Sequence, residues 1–276
     1  MTEQQSAIAS TAIASTTVGL EPWLDALHTA SKRLRSATDA LSDEELRRPS
    51  FTGEWSIAQV LSHLGSAAQI GTTVLERGLA GDRTAPTRED MLPLWQHWDA
   101  LDAPAQRAAW QEADARHLDL LDALDADRRR TLHVPSFAGW ISVTAYAGYR
   151  LSEQSVHSWD VEVALDPAAT IPPRETALLW ERLDLVATRF RDAGTLARLR
   201  PRRLSLELTG PSRTLLLDLD RELHVRAREA VRPEGTLTGP AESVLRLFYG
   251  RNRPQDPVTA TGSITLDDLR ALFPGY

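Results

Sequence analysis

Glu153 and His157 are the residues whose types and spacing point most directly to chemistry. They are four residues apart on a predicted helix from about 142 to 165, so both side chains leave the same helix face. Tyr146, Arg150 and Asp160 continue that face and make it the more polar side of the helix. Burying a carboxylate and an imidazole without partners is costly. The face therefore either points to solvent, or its polar groups bind a common partner inside the protein.

His63 supplies a third candidate from a different helix. It lies among Val60, Leu64 and Ala67, at a position that should face inward. One carboxylate and two imidazoles from two helices form the ligand set of an open zinc site, with three protein ligands and a free fourth position. Iron, manganese and nickel accept the same ligands, so the ligand types leave the metal open. A solvated Glu–His pair and an ordinary core histidine are the simpler interpretation.

The remaining histidines and the tryptophans carry weaker signals. His117 shares an apolar stripe with Trp110 and Leu121, which favours a core or interface position. The chain has 8 tryptophans, and we interpret Trp55 and Trp159 among them as packing residues.

Two predicted helices open the first part of the chain. Apolar residues recur at spacings of three, four and seven between Leu20 and Leu41, which is typical of one buried helical stripe. Ser56 and Gln59 form a capping-box pattern that begins a helix from about 57 to 79. His63 belongs to this second helix.

Two further helical regions complete the first part. One starts near residue 87, and Pro93 and Pro104 are expected to interrupt it. A loop is predicted over 131–139, before the last long helix at about 142–165. Four main helices of this length favour an up-and-down four-helix bundle.

The pattern changes after a proline-rich linker at 166–173. We expect a mobile tail at 1–17, the bundle at 18–166 and a smaller α+β domain at 167–276. Apolar alternation predicts three short strands in the last domain, and helical patterns flank them. The expected elements are a helix at 174–196, strands at 204–208, 215–219 and 223–227, a helix from Pro240 to Tyr249, a strand at 258–261 and a helix at 266–273.

Composition excludes several classes of function. The chain of 276 residues has no cysteine, which removes disulfides, iron–sulfur clusters and a cysteine nucleophile, so any thiol must arrive as a cosubstrate. Residues 1–166 carry 14 Lys+Arg against 24 Asp+Glu, an acidic balance that argues against nucleic acid as a partner. No signal peptide and no membrane-spanning run is evident, so we expect a cytoplasmic protein without a membrane partner.

Three segments carry a family resemblance. The segments are FTGEWSIAQVLSHLG at 51–65, EQSVHSWD at 153–160 and TGPAESVLRLFYGR at 238–251. The first resembles a signature of the DinB-like metal-binding bundles, and all three in this order resemble the mycothiol-dependent maleylpyruvate isomerase family. The resemblance covers about 18–276. It implies a DinB-like four-helix bundle followed by a sterol-carrier-like α+β domain.

The resemblance also implies a mechanism. His63, Glu153 and His157 match the family's metal ligands, and zinc is the usual metal. The open position would hold the sulfur of mycothiol or another small thiol as a thiolate. In the isomerases that thiolate adds to a cis double bond conjugated with carbonyls, and rotation and elimination give the trans isomer. Relatives use the thiolate for S-transfer. The partners would be a small thiol and a small substrate, in a monomer or homodimer.

Four further residues receive candidate roles. Asp160 either orients a ligand imidazole or is a plain surface aspartate. Arg251 is the candidate catalytic residue, holding a substrate carboxylate, or else a solvated arginine or a charge at a helix C-terminus. Arg150 and Tyr146 are candidate substrate-binding residues, with pairing to Glu153 as the alternative for Arg150.

Two other functions fit the same residues. One is a non-catalytic module that binds a thiol or another small molecule, and native mass spectrometry for a copurified ligand would identify it. The other is a zinc-dependent hydrolase that uses metal-bound water, and activity without added thiol would favour it.

Overall fold

The protein is described by a computed structural model that covers residues 18–220, 222–227 and 232–275. The chain divides into two compact units, with the boundary between Thr170 and Ile171. The tail expected at 1–17 lies outside the described residues. Among the described helices, none combines the length and apolar character needed to cross a membrane.

The first unit is a helical bundle with one small hairpin. Its elements are α1 (Leu20–Thr38), α2 (Asp43–Leu46), α3 (Ile57–Leu79), α4 (Arg88–Asp99), α5 (Ala103–Asp122), α6 (Ala126–Thr131), β1 (His133–Ser136), β2 (Gly139–Ser142) and α7 (Val143–Leu165). The four long helices α1, α3, α5 and α7 form the bundle, in which α3 packs on α5 and α7, and α1 packs on α7.

Side-chain caps and an apolar core explain the bundle. The Ser56 side chain accepts from the Gln59 backbone, and the Gln59 side chain accepts from the Ser56 backbone, which fixes the start of α3. Fully buried Trp110 and Val161 join apolar residues of α3 in one core cluster. Burial of these large side chains holds the helices together, because isolated helices of this length are marginal in water.

Two sequence expectations for the first unit are wrong. Residues 131–139 are not a plain loop, because His133–Ser136 pairs antiparallel with Gly139–Ser142 in a hairpin. Gly139 adopts a positive φ of 98°, which lets the chain reverse within a few residues. Pro93 lies inside α4 rather than interrupting it, and the helix continues through the proline to Asp99 without the backbone donor that proline lacks. Pro104 does begin a new helix, α5.

The second unit packs short helices against one sheet. Its elements are α8 (Pro173–Trp180), α9 (Leu183–Phe190), α10 (Ala193–Leu199), β3 (Arg202–Thr209), β4 (Arg213–Leu219), β5 (Leu223–Ala227), β6 (Gly235–Pro240), α11 (Ala241–Phe248), β7 (Thr259–Gly262) and α12 (Leu266–Leu272). The strand order is β5-β4-β3-β6-β7, with β3 and β6 parallel and the other neighbours antiparallel.

The three strands predicted from leucine alternation are present as β3, β4 and β5. The single helix expected at 174–196 is wrong, because the segment forms α8, α9 and α10, and Asp192 caps the last of them through Thr195. The helix expected from Pro240 begins one residue later, and residues 235–240 form the unpredicted strand β6. The predicted fold class, a helical bundle followed by a smaller α+β part, is confirmed.

Candidate metal centre

Helices α3 and α7 bring the three candidate ligands together. His63 lies in the second turn of α3, and Glu153 and His157 lie one turn apart on α7. Nε2 of His63 is 3.2 Å from Oε2 of Glu153. Nε2 of His157 is 3.6 Å from the same oxygen. The three residues offer ligand atoms that all lie within 4.8 Å of one another.

These distances fit a tetrahedrally coordinated metal ion. Zinc bound to nitrogen and oxygen at about 2.0–2.1 Å places neighbouring ligand atoms about 3.4 Å apart, close to the two separations from Glu153. The donor set of two imidazoles and one carboxylate also suits iron, manganese and nickel.

The electrostatics of the cluster favour positive charge beside Glu153. Burial opposes ionisation of this carboxyl, but the hydrogen bonds and charges of His157 and His63 outweigh it and hold its pKa well below the ordinary range. Burial also opposes protonation of His157, yet its bonds to Asp160 and Glu153 raise the pKa of this imidazole. A bound cation would supply positive charge beside the Glu153 carboxylate in the same place.

Asp160 orients His157 through the ring nitrogen that faces away from Glu153. Its Oδ2 lies 2.9 Å from Nδ1 of His157, so Nδ1 donates and Nε2 is directed at Glu153. Asp160 is fully buried, which excludes the alternative of a plain surface aspartate. A carboxylate behind a histidine is the usual support of a metal-ligating imidazole.

The cluster is open on one side. The side chains of His63 and Glu153 are 33% and 31% exposed, whereas that of His157 is 3% exposed. This excludes the simpler interpretation of a Glu–His pair on a solvated helix face, because His157 is buried. Solvent reaches the cluster from the side of His63 and Glu153.

Arg150 and Tyr146 lie in the bundle interior. Nη2 of Arg150 donates to the backbone oxygen of Leu64, to Asp114 and to Gln154, at 3.1–3.3 Å. Arg150 therefore pairs with Asp114, and the described contacts of Glu153 include no arginine. Substrate binding by Arg150 and Tyr146 stays a prediction.

Tyr146 forms a hydrogen bond with a buried histidine. Its hydroxyl lies 2.6 Å from Nε2 of His117, and both side chains are buried. Burial, and then the charge of Arg150, lower the pKa of His117 well below its usual value. A Cβ at Gly71 would collide with the Tyr146 hydroxyl, so glycine is required where α3 passes this pair.

Arg251 lies in the second unit. It is buried, and its Nη1 donates to the backbone oxygen of Tyr249 at 2.8 Å. Its own carbonyl accepts from Arg246. A solvated arginine is therefore excluded, and a role for Arg251 in catalysis stays a prediction.

Trp55 lies beside the ligand cluster, although its sequence pattern predicts only a packing role. Its ring centroid lies 5.1 Å from that of His63 and 6.1 Å from that of His157. The residue is 36% exposed, unlike the fully buried Trp159 that was also interpreted as packing. Its position eight residues before His63, ahead of the capping box, was the only signal available.

Comparison with known proteins identifies the family. Residues 27–162 match the sequence profile of the mycothiol maleylpyruvate isomerase N-terminal domain, and through this region the chain belongs to that family. The resemblance drawn from the sequence motifs is confirmed.

Solved structures share the fold over most of the chain. The crystal structure of the mycothiol-dependent maleylpyruvate isomerase is 16% identical, with a TM-score of 0.65 over 90% of this chain and 95% of that chain. A mutant of that isomerase gives the same TM-score at 15% identity. At these identities the likeness shows the fold alone.

One sequence relative carries a different activity name. A protein from Geobacillus thermodenitrificans (strain NG80-2), provisionally named a metal-dependent hydrolase, is 33% identical over 66 residues. The match spans 24% of this chain and 37% of the length of that relative.

Proposed function

We propose that this protein is a zinc-dependent cytoplasmic enzyme that activates a low-molecular-weight thiol, mycothiol or a similar one. The reaction would be cis–trans isomerisation of a maleylpyruvate-type substrate or S-transfer to a small substrate. The observation that carries the proposal is the convergence of His63, Glu153 and His157 on one point open to solvent. Membership of the mycothiol maleylpyruvate isomerase N-terminal domain family supports the thiol.

Each of the three side chains would have a different role in binding the cation. Glu153 supplies the negative charge, and its position between the two imidazoles sets the ligand spacing. His157 is held in one orientation by Asp160, which prepares its Nε2 for the cation. When bound, a zinc ion would lower the pKa of a coordinated thiol and so supply a nucleophile at neutral pH.

The protein lacks a thiol of its own, which fits a thiol cosubstrate. With no cysteine in the chain, the sulfur has to enter from solvent through the side of His63 and Glu153. Arg251 is the candidate for holding a substrate carboxylate, since a guanidinium offers two parallel donors.

Metal analysis tests the proposal. We expect about one zinc ion per chain in the purified protein and less than about a tenth of that in the His157→Ala variant, because two remaining ligands hold the ion poorly. Inductively coupled plasma mass spectrometry on the folded proteins gives both numbers.

His28→Ala is the matched control for this test. His28 is an exposed histidine of the same unit that pairs with Asp122 at 3.0 Å, so its removal should leave the zinc content unchanged. A protein that stays metal-free after incubation with zinc, or a His157→Ala variant that keeps its zinc, would refute the proposal.

A metal-dependent hydrolase is the second candidate. The partial match to the provisionally named hydrolase and the open side of the cluster both favour it. The two functions separate in one assay on the zinc-loaded protein. Turnover that requires added thiol supports the isomerase or S-transferase, and ester or amide hydrolysis without thiol supports the hydrolase.

A further inference from the structure

Arg246 is a buried arginine beside Arg251, the candidate for holding a substrate carboxylate. Among the described residues it is the most buried arginine, with 1% of its surface exposed. Its guanidinium donates to Glu242 from Nε at 2.7 Å, and to Asp256 from Nη1 at 2.6 Å and from Nη2 at 3.0 Å. Two carboxylates therefore hold this cation inside the second unit.

Arg246 also bonds to both backbone groups of Arg251. The N–H of Arg251 donates to the backbone oxygen of Arg246 at 2.8 Å, as in the Schellman motif that ends many helices. Gly250 makes this turn possible with a positive φ of 73°. The second bond is less ordinary, because the side-chain Nη1 of Arg246 donates to the Arg251 carbonyl at 2.8 Å. A single residue thus fixes the backbone of Arg251 from both sides.

Asp256 extends this hold to the residues that follow. Its Oδ2 accepts from the backbone N–H of Arg253 at 2.7 Å, and its Oδ1 accepts from Nε of Arg253 at 3.0 Å. Asp256 is itself buried. Residues 251–253 are therefore folded around the ion pair of Arg246 and Asp256.

Fold stability alone does not account for this arrangement. A buried ion pair is often no more stabilising than apolar side chains of the same volume, because both charges lose their hydration. What the pair of Arg246 and Asp256 provides is a fixed backbone at Arg251. The Arg251 side chain is buried, with its Nη1 on the Tyr249 carbonyl at 2.8 Å. Bidentate binding of a carboxylate needs such a fixed guanidinium, since both hydrogen bonds depend on its orientation.

We infer that Arg246 is a positioning residue for the proposed reaction: through the Arg251 carbonyl it sets the direction from which the Arg251 guanidinium binds the substrate carboxylate. The inference rests on the proposed function, in which Arg251 binds that carboxylate. It gives Arg246 a role that requires no contact with the substrate.

A double-mutant cycle on substrate binding tests this role. Binding of maleylpyruvate to the zinc-loaded protein is measured by isothermal titration calorimetry without thiol, so that no turnover takes place. We expect Arg251→Met to bind maleylpyruvate about 10–100-fold more weakly, the effect of losing hydrogen bonds between charged groups. Arg246→Lys should bind it about fivefold more weakly, a typical coupling between neighbouring residues. A lysine keeps the charge but replaces three donor nitrogens with one, so Glu242, Asp256 and the Arg251 carbonyl cannot all be bound as before.

The Arg251→Met background separates positioning from general stability. If Arg246 acts through the Arg251 guanidinium, adding Arg246→Lys to Arg251→Met should change the affinity by less than about twofold. A purely structural role would weaken binding by the same factor in both backgrounds. Asp256→Asn is a second variant, which keeps the size of the side chain and should show a smaller loss with the same dependence on Arg251.

Arg198→Lys is the matched control. Arg198 lies in the same unit, is 58% exposed at the side chain and pairs with Asp268 at 2.8 Å. The same arginine-to-lysine change at this surface pair should leave the affinity for maleylpyruvate unchanged. Circular dichroism and zinc content establish that each variant is folded and loaded.

Each outcome of the cycle decides the inference. A loss in Arg246→Lys that disappears in the Arg251→Met background supports it. Wild-type affinity in folded Arg246→Lys, or equal losses in both backgrounds, overturns it and leaves the proposed function standing. Unchanged affinity in Arg251→Met, or a wild-type protein that does not bind maleylpyruvate, also overturns it, because Arg246 then has no carboxylate contact to position. Zinc content and the thiol dependence of turnover test the proposed function separately.

Discussion

Two polar clusters lie in the same helical bundle and differ in whether an arginine balances their carboxylate. The ligand cluster consists of His63, Glu153 and His157. The interior cluster consists of Ser31, Asp114, His117, Tyr146 and Arg150. Helix α7 contributes to both, and each contains a carboxylate and histidine.

The interior cluster contains its own cation. Arg150 pairs with Asp114 at 3.3 Å, Ser31 donates to the same carboxylate, and all three are buried. The ligand cluster has no lysine or arginine among its described contacts, and the side chains of His63 and Glu153 are about a third exposed. In the interior cluster the guanidinium balances the buried carboxylate, so removing either partner is costly. The ligand cluster instead offers two imidazoles and a carboxylate, which are donors that suit a metal cation.

Asp114→Ala should give the largest loss of stability. It should also distinguish the interior cluster from the ligand cluster most clearly. It leaves the Arg150 guanidinium buried without its carboxylate, so we expect the free energy of unfolding to fall by about 3–5 kcal/mol. Urea denaturation measures the loss, and zinc content of the folded fraction should stay at the wild-type level.

Asp119→Ala is the control for that variant. Asp119 lies on the exposed face of the same helix, α5, and its removal should change stability by no more than about 0.5 kcal/mol. Loss of zinc from folded Asp114→Ala would show that zinc binding depends on the interior cluster, and the two clusters would then not be independent.

Asp160→Asn should act on the ligand cluster alone. The amide keeps the size of the side chain but holds the His157 imidazole less strongly, so zinc affinity should fall about 10–100-fold. Competition with a chromogenic chelator measures the affinity, and Asp166→Asn, exposed at the end of the same helix, is the control. Unchanged affinity in Asp160→Asn would remove Asp160 from the site.

His117 should give the smallest effect, seen as a pH dependence. Its pKa is lowered in the folded protein by burial and by Arg150, and it returns to about 6.5 on unfolding. Below that pH the unfolded chain binds a proton that the folded protein does not. Stability therefore falls as pH falls, by up to about 1.4 kcal/mol per pH unit from this group.

His117→Gln isolates that contribution. Urea unfolding at pH 7, 6 and 5 should show a shallower decline in the variant than in the wild type, whatever the variant's stability at pH 7. Equal slopes would mean that folding does not lower the pKa of His117, contrary to its burial beside Arg150.

The candidate ligands could be predicted because their signals are local. Glu153 and His157 share a helix face through a four-residue spacing, and a capping box fixes the helix of His63. The Arg150–Asp114 pair could not be predicted, since it joins residues 36 positions apart on different helices. Its formation depends on how α5 and α7 pack, which single-helix patterns do not specify.

The errors in the second unit have a similar origin. Strand β6, with the sequence GTLTGP, offers one strongly apolar residue, Leu237, and owes its place to parallel pairing with β3. Pairing partners of a strand are tertiary information. By contrast, β3, β4 and β5 alternate leucines with polar residues, so periodicity alone predicts them.

Helix α3 begins directly after its N-cap Ser56, which lies seven residues before His63. Each residue of an α-helix turns the chain by about 100°, so one insertion or deletion within that stretch would swing the imidazole to another side of the bundle. The approach of His63 to α7 thus depends on the length of a short segment as much as on the chemistry of its side chain. Engineers who graft this centre onto another scaffold would have to copy that interval as well as the histidine.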